Sequence, residues 1–208
     1  MLQKQTVEPT TFSLLEELMG LPFINDGALV GGTALSLLYG HRVSIDLDIF
    51  LSKKPDWDAF LEQLVNHFGS RFFFENRRIS IGIFGFIDNV KVDIVYYPHP
   101  LLSPLLIEEN IRLYAPLDIA AMKVNAILGR GKKKDFWDMA TLLNHFSLDE
   151  IINAYQTKFP SQQLLISIPN ALLYFDDAEE SEEPHCLLGK SWSNIKQTLE
   201  QEVNRYLS

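Results

Sequence analysis

Apolar side chains recur at helical spacing from Phe12 to Met19 around Glu16 and Glu17, and Gly20 followed by Pro22 supplies a stop. The chain is therefore expected to open on a short helix. Ala28 to Val30 reads as a brief buried strand, Gly31-Gly32 as a tight turn, and Thr33 to Tyr39 as a helix ended by Gly40. From Val43 to Leu51 the period changes to two. Ser44, Asp46 and Asp48 alternate with Val43, Ile45, Leu47 and Ile49, the pattern of a half-buried strand, and this puts both aspartates on one face.

Pro55-Asp56 starts the next helix, whose apolar stripe is Trp57, Phe60, Leu61, Leu64, Val65 and Phe68, with Gly69 as its end. Between Arg78 and Tyr97 two β-rich runs flank Asp88-Asn89, a natural tight turn, and the second run, Val90 to Tyr97, carries Asp93. A loop around Pro98, Pro100 and Pro104 precedes a helix from Pro116 through Leu128, which Gly129 and Gly131 break. Lys132 to Asp135 leads into another helix with Phe136, Met139, Ala140 and Leu143 inward. Beyond Asp149 the pattern is helical, with an acidic loop from Asp176 to Glu183 and a final amphipathic helix carrying Trp192, Ile195, Leu199 and Val203. These elements predict an α+β fold, a small mixed β-sheet flanked by helices and followed by a helical C-terminal part. The expected division is a catalytic domain over residues 1–115 and a helical region over 116–208 that completes the active site.

Composition narrows the function. A chain of 208 residues with 47% hydrophobic and 22% charged residues is ordinary for a soluble globular protein. Its net charge of −9 excludes a uniformly basic surface for gripping long nucleic acid, so any such contact is local. Residues 151–208 hold four Lys/Arg against eight Asp/Glu, a balance suited to a basic protein partner. The single cysteine, Cys186, removes intramolecular disulfides and multi-cysteine zinc sites, and fits a reducing cytoplasm. Met1 to Thr11 is polar, and no run reaches the roughly 18 apolar residues of a membrane span. A soluble cytoplasmic protein with no membrane partner is expected. The five histidines lack metal-ligand spacing.

Paired carboxylates at positions i and i+2 of a strand can hold divalent cations about 3.5–4 Å apart between the oxygens of a phosphoryl-type displacement. Asp93, an acid within the apolar run Val92 to Val95, is the best candidate for a third carboxylate on a neighbouring strand. Gly31-Gly32-Thr33 between a strand and a helix offers close backbone approach, free helix-start N–H groups and a hydroxyl, which together can cradle phosphate. Taken alone, an Asp-x-Asp near Arg42 reads as surface ion pairs and a Gly-Gly as a plain turn. The conjunction of all these features in one order is what carries the functional reading.

At these residues the chain resembles the AbiEii/AbiGii abortive-infection toxin family of the DNA polymerase β nucleotidyltransferase superfamily. Gly31-Gly32-Thr33-Ala34-Leu35 and His41-Arg42-x-Ser44-x-Asp46-Leu47-Asp48-x-Phe50 are similar to its first motif, and Asp93 to its third acid. Arg130-Gly131-Lys132-Lys133-Lys134-Asp135 is similar to its Arg-x-Lys-x-Lys-Asp motif, with Lys123 as the preceding lysine. The resemblance implies a nucleotidyltransferase fold and Mg2+-dependent use of an NTP. It also implies the role of toxin in a toxin–antitoxin or phage-defence pair, with a cognate antitoxin and an RNA, tRNA or protein acceptor. Asp46, Asp48 and Asp93 become the metal and catalytic carboxylates, Lys134 and Asp135 further catalytic candidates. Gly31, Gly32, Thr33, Arg42, Ser44, Lys123 and Arg130 become nucleotide-binding candidates.

Each of the basic candidates also has a plain structural reading. Lys132 to Lys134 can be a solvated turn, Asp135 a carboxylate favoured at a helix start, and Lys123 a side chain snorkelling from the core edge. Asp138 reads as structural. Phe72 to Phe74 and Tyr96-Tyr97 can stack on a base, while core packing is the simpler reading for aromatics in strands. Two other function classes fit the acidic surface. One is a catalytically reduced nucleotide-binding or antitoxin-interacting protein, and the other is a small-molecule nucleotidyltransferase of the aminoglycoside type.

Overall fold

The computed structural model describes residues 1–74 and 80–208. The chain divides into two compact units, one of Met1–Leu38, Ser44–Pro98 and Leu105–Tyr114, the other of Tyr39–Val43, His99–Pro104 and Ala115–Ser208.

The first unit is built on a sheet whose strands, among the described residues, are β1 (Gly27–Leu29), β2 (Leu47–Leu51), β3 (Phe72–Phe74), β4 (Gly82–Ile87), β5 (Val90–Tyr96), β6 (Leu106–Glu108) and β7 (Ile111–Leu113). Their order is β3-β4-β5-β2-β1-β7-β6, with β2 and β5 parallel, β1 and β7 parallel, and the other neighbours antiparallel. The mixed sheet and accompanying helices match the expected α+β class. Helices α1 (Pro9–Gly20), α2 (Gly31–Tyr39, all but its last residue) and α3 (Trp57–Phe68) belong to this unit. Pro9 starts α1 where a missing N–H costs nothing, and Phe12, Leu14, Leu15 and Leu18 are buried along it. Asp56 caps α3 by accepting from the N–H groups of Asp58 and Ala59 at 3.1 and 3.3 Å. The parallel β2–β5 pair requires a crossover, and α3 lies within it.

Asp88 and Asn89, with φ of 51° and 64°, make the expected two-residue turn between β4 and β5. Arg78 and Ile79, at the start of the predicted first run, lie outside the described residues. Three expectations need correction. Strand β2 starts at Leu47, not Val43, because the Val43 N–H donates to the His185 carbonyl at 2.9 Å and the Ser44 N–H to the Thr6 carbonyl at 2.9 Å, so neither joins the sheet. Gly31-Gly32 is the first turn of α2 itself, with the chain reversal concentrated at Gly31. The hairpin β6–β7 was not anticipated; its turn residues Glu109 and Asn110 also have positive φ, 50° and 66°.

The second unit contains α4 (Pro116–Gly129), α5 (Lys133–Leu142), α6 (Leu148–Lys158), α7 (Ile168–Leu172), α8 (Asp176–Glu179) and α9 (Trp192–Leu207). The predicted acidic loop thus includes the short helix α8. Ser147 with Glu150 and Ser191 with Asn194 form reciprocal caps at the starts of α6 and α9. The core gathers Ile119, Val124, Phe136, Ile151, Tyr155, Ile195 and Leu199, and Trp137 stacks on Trp192 at 5.7 Å. Fully buried Lys158 pairs with Asp118 at 2.7 Å. Asp118 also accepts from the N–H groups of Leu102 and Ser103, and Lys158 donates to the Pro100 carbonyl, so this pair pins the proline-rich segment to α4 and α6. No helix is long and apolar enough to cross a membrane, among the described residues.

Candidate active site

In the first unit, β2 and β5 run side by side with Asp48 opposite Asp93. Neighbours in register carry their side chains on the same sheet face, and the flanking Leu47, Ile49, Val92 and Ile94 are buried on the other. Asp46 lies just ahead of β2. Lys91 Nζ is 2.6 Å from Asp93 Oδ2, and the charges of Asp46 and Asp48 also act on it. Burial alone pulls the Lys91 ammonium downward, but the bond from Asp93 and the charges of Asp93, Asp46 and Asp48 outweigh it and leave its pKa raised. Lys91 was not singled out in the sequence, although its place two residues before Asp93 in a strand puts it on the same face.

The approach to these carboxylates is set by backbone. The Val30 N–H donates to the Asp48 carbonyl at 2.9 Å, tying the end of β1 to β2. Gly31 then turns with φ of 71°, and a Cβ there would stand 2.8 Å from Asp48 Oδ2. Only glycine allows the start of α2 to come this close to the carboxylate. Buried Thr33 bonds through its hydroxyl to Ser44 Oγ at 2.8 Å and to the Asp46 carbonyl. Gly31, Thr33, Ser44, Asp46, Asp48 and Asp93 are thus brought together in this unit. Gly32 is the second residue of the same helix, half-buried.

Among the described residues, no three His, Cys, Asp or Glu side chains stand as a ready-made metal cage. The donor set nevertheless fits a divalent cation. Among the described residues, Asp93 Oδ1 is buried without a hydrogen-bond partner, and Asp93 Oδ2 accepts from the Lys91 ammonium. An acceptor in that condition is costly unless a cation or proton donor reaches it. Three carboxylates around one cationic side chain are the hard oxygen donors that Mg2+ selects.

The remaining predicted residues lie in the second unit and form a different structure. Asp138, fully buried, receives Arg42 Nε at 2.7 Å and Nη2 at 2.9 Å, His41 Nε2 at 2.7 Å, and Lys123 Nζ at 2.6 Å. Arg42 Nη1 donates to the Val43 carbonyl at 3.0 Å. Lys123 also reaches Asp135 Oδ1 at 3.0 Å, and Arg130 binds both oxygens of Asp135 at 3.0 and 3.1 Å. Burial pushes the Asp138 and Asp135 carboxyls upward. The charges of Arg42 and Lys123 on Asp138, and of Lys123 and Arg130 on Asp135, outweigh that and hold both below the usual carboxylate range. Burial lowers Lys123, and Asp138 and Asp135 raise it by more. Arg42 and Lys123 are therefore internal members of an ion-pair network rather than side chains opening on solvent. Asp138 and His41, which carried no chemical role as read from the sequence, stand at its centre. Arg130 and Lys134, with Lys132, Asp177, Glu180 and Glu182, line an open cleft of about 600 Å³ in this unit.

The family match makes the chain a nucleotidyltransferase, and the mixed sheet with its accompanying helices fits that class. The chain belongs to the family described as Nucleotidyl transferase AbiEii toxin, Type IV TA system, which matches residues 13–205. An uncharacterised protein of Aquifex aeolicus is 31% identical over 199 residues, 93% of this chain and 94% of that one. Among solved structures, the antibiotic-resistance factor ANT(2'')-Ia has a TM-score of 0.53 at 14% identity, over 71% of this chain and 91% of that chain, a likeness of fold. JHP933 from Helicobacter pylori aligns over 97% of this chain and 98% of that chain at 17% identity, with a TM-score of 0.47.

Proposed function

We infer that Asp46, Asp48 and Asp93 form the site at which the nucleotidyl group of an NTP passes to a hydroxyl of RNA, tRNA or protein, and that this reaction is the toxic activity of a toxin–antitoxin or phage-defence pair. The observation that carries the reading is the Asp48–Asp93 register beside Gly31, with the buried, unpartnered Asp93 Oδ1. Mg2+ held by the three carboxylates would supply charge neutralisation at the reacting phosphate. The acceptor oxygen forms a bond to the α-phosphorus, the bond from that phosphorus to the bridging oxygen breaks, and pyrophosphate leaves with the electron pair. The acceptor proton passes to a carboxylate, for which Asp93 is placed best.

The N–H groups at the start of α2, with Gly31, Gly32 and the Thr33 hydroxyl, supply phosphate contacts. Ser44 orients Thr33 through their hydrogen bond. Arg130 and Lys134 are assigned to phosphate of nucleotide or acceptor, since both reach the open cleft. Arg42, Lys123 and Asp135, the other residues that the family resemblance points to, hold the second unit together through the buried network. A cognate antitoxin would silence this activity.

α-Labelled NTPs incubated with Mg2+, total RNA and cell protein are expected to yield a labelled macromolecule with at least one of the four bases. If none is labelled, or if Asp46→Asn labels as well as the native chain, the reading is wrong.

A further inference from the structure

The sheet face that holds the carboxylates continues beyond them as an aromatic surface. In register, Asp48 faces Asp93 and Asp93 faces Phe84; one row further on, Lys91 faces Phe86 and Phe86 faces Phe73. These side chains share one face, and the intervening Ile83 and Ile87 are buried on the other. Core packing does not account for the three rings, because Phe84, Phe86 and Phe73 are 38%, 45% and 57% exposed. Phenylalanine at three successive face positions offers flat π surfaces, held on rigid strands beside a reactive centre.

We propose that Phe84 and Phe86, extended by Phe73, stack unpaired nucleobases of the acceptor, so that the acceptor of the reaction inferred above is a single-stranded nucleic-acid end. Three observations select this occupant. Strand order puts the phosphate-cradling start of α2, which follows β1, on one side of the carboxylates, and β4 and β3 on the other. An in-line displacement needs the attacking oxygen opposite the leaving pyrophosphate, so the face beyond Asp93 is where the acceptor enters. Phe84 and Phe86 are two residues apart, about 7 Å along the strand, a spacing that lets successive bases of an unstacked strand each meet a ring. Lys91, opposite Phe86 and paired with Asp93, is a half-exposed cation on this face within reach of backbone phosphate in a chain otherwise net negative. A duplex end hides its base faces in its own stack, so this surface discriminates against it.

This inference rests on the nucleotidyltransfer reading, and its test is made without NTP so that the two can fail separately. A short oligoribonucleotide with 2-aminopurine near its 3′ end is titrated into the native chain and into the double variants F84L/F86L and F84Y/F86Y. Circular dichroism and melting confirm that each variant is folded. The native chain is expected to bind with a change in 2-aminopurine fluorescence. F84Y/F86Y retains affinity within about threefold, F84L/F86L loses at least about tenfold, and the same sequence paired to its complement binds at least about tenfold more weakly. Leucine variants that bind like the native chain, a duplex that binds as well as the single strand, or no binding to the native chain overturns the proposal. So does a purified antitoxin that binds the native chain and is lost with F84L/F86L while the oligonucleotide is unaffected, which would make the face a protein interface. An F84L/F86L variant that labels acceptor from NTP as well as the native chain does leaves nucleotidyltransfer standing and the aromatic proposal refuted.

Discussion

Two groups of aspartates in this chain are built from the same residue types and stand in opposite electrostatic conditions. Asp135 and Asp138 are buried among Arg42, Lys123, Arg130 and His41, with every carboxylate oxygen bonded to a cation. Asp93 pairs with one half-exposed lysine on which Asp46 and Asp48 also act, and among the described residues a buried Asp93 oxygen has no partner. The first arrangement is complete without any ligand and holds four segments of its unit together. The second sets three like charges near a single lysine and, among the described residues, leaves one Asp93 oxygen for an arriving cation. A carboxylate's chemistry is thus read from its neighbours, since both groups contain an aspartate that a motif would flag.

The largest effect is expected at the three carboxylates of the first unit. Asp48→Asn should lower nucleotidyl transfer by about a thousandfold or more, the several kcal/mol that charge neutralisation at phosphate supplies. In the absence of metal its melting temperature should stay within about 2 °C of that of the native chain, because the change leaves the buried ion network intact. A melt that drops sharply with unchanged transfer would reverse the roles of the two groups.

Asp138→Asn should do the converse. Removing one partner of a buried ion network strands Arg42 and Lys123, at about 3–5 kcal/mol. In a chain of this size that is a fall of roughly 10 °C in Tm, visible by calorimetry. A fall of under about 2 °C would show the network to be dispensable.

Gly31→Ala sharpens the contrast from the backbone side. The new Cβ meets Asp48 Oδ2 at 2.8 Å in a left-handed conformation, so a stability loss of about 1 kcal/mol or more is expected together with at least a tenfold loss of transfer. Denaturant unfolding and labelled-NTP transfer measure the two parts.

Acid provides the mildest probe. Asp135 and Asp138 have folded-state pKa values below the ordinary 3.8, so their stabilisation is complete above the unfolded value and lost as pH falls through the folded ones. Tm should hold steady from neutrality down to about pH 4 and fall below it, more steeply in the native chain than in Asp138→Asn. Parallel acid limbs for the two proteins would remove Asp138 from the account.

Much of the first unit's carboxylate group could be read from the sequence because its parts are local. Asp46-x-Asp48 lies within a period-two pattern, Asp93 interrupts an apolar strand, and Asp88-Asn89 fixes the hairpin that orients β5. What escaped was set by distant partners. The pattern from Val43 to Asp46 alternates as a strand should, yet the Val43 and Ser44 N–H groups are taken by His185 and Thr6. Asp138 meets Arg42 and His41 across almost 100 residues, so nothing adjacent to it showed that it outranks Asp135 as the hub. The strands of the β6–β7 hairpin have three residues each, too short for periodicity, and only Asn110 hinted at the turn.

The central claim, that the three carboxylates of the first unit perform cation-dependent nucleotidyl transfer, is tested most directly by pyrophosphate release. The native chain, with acceptor and each NTP in turn, should release pyrophosphate in proportion to labelled product when Mg2+ is present and none when it is chelated, and Asp93→Asn should release at least about a hundredfold less. Release by Asp93→Asn at the native rate, or equal release in excess chelator, would contradict it.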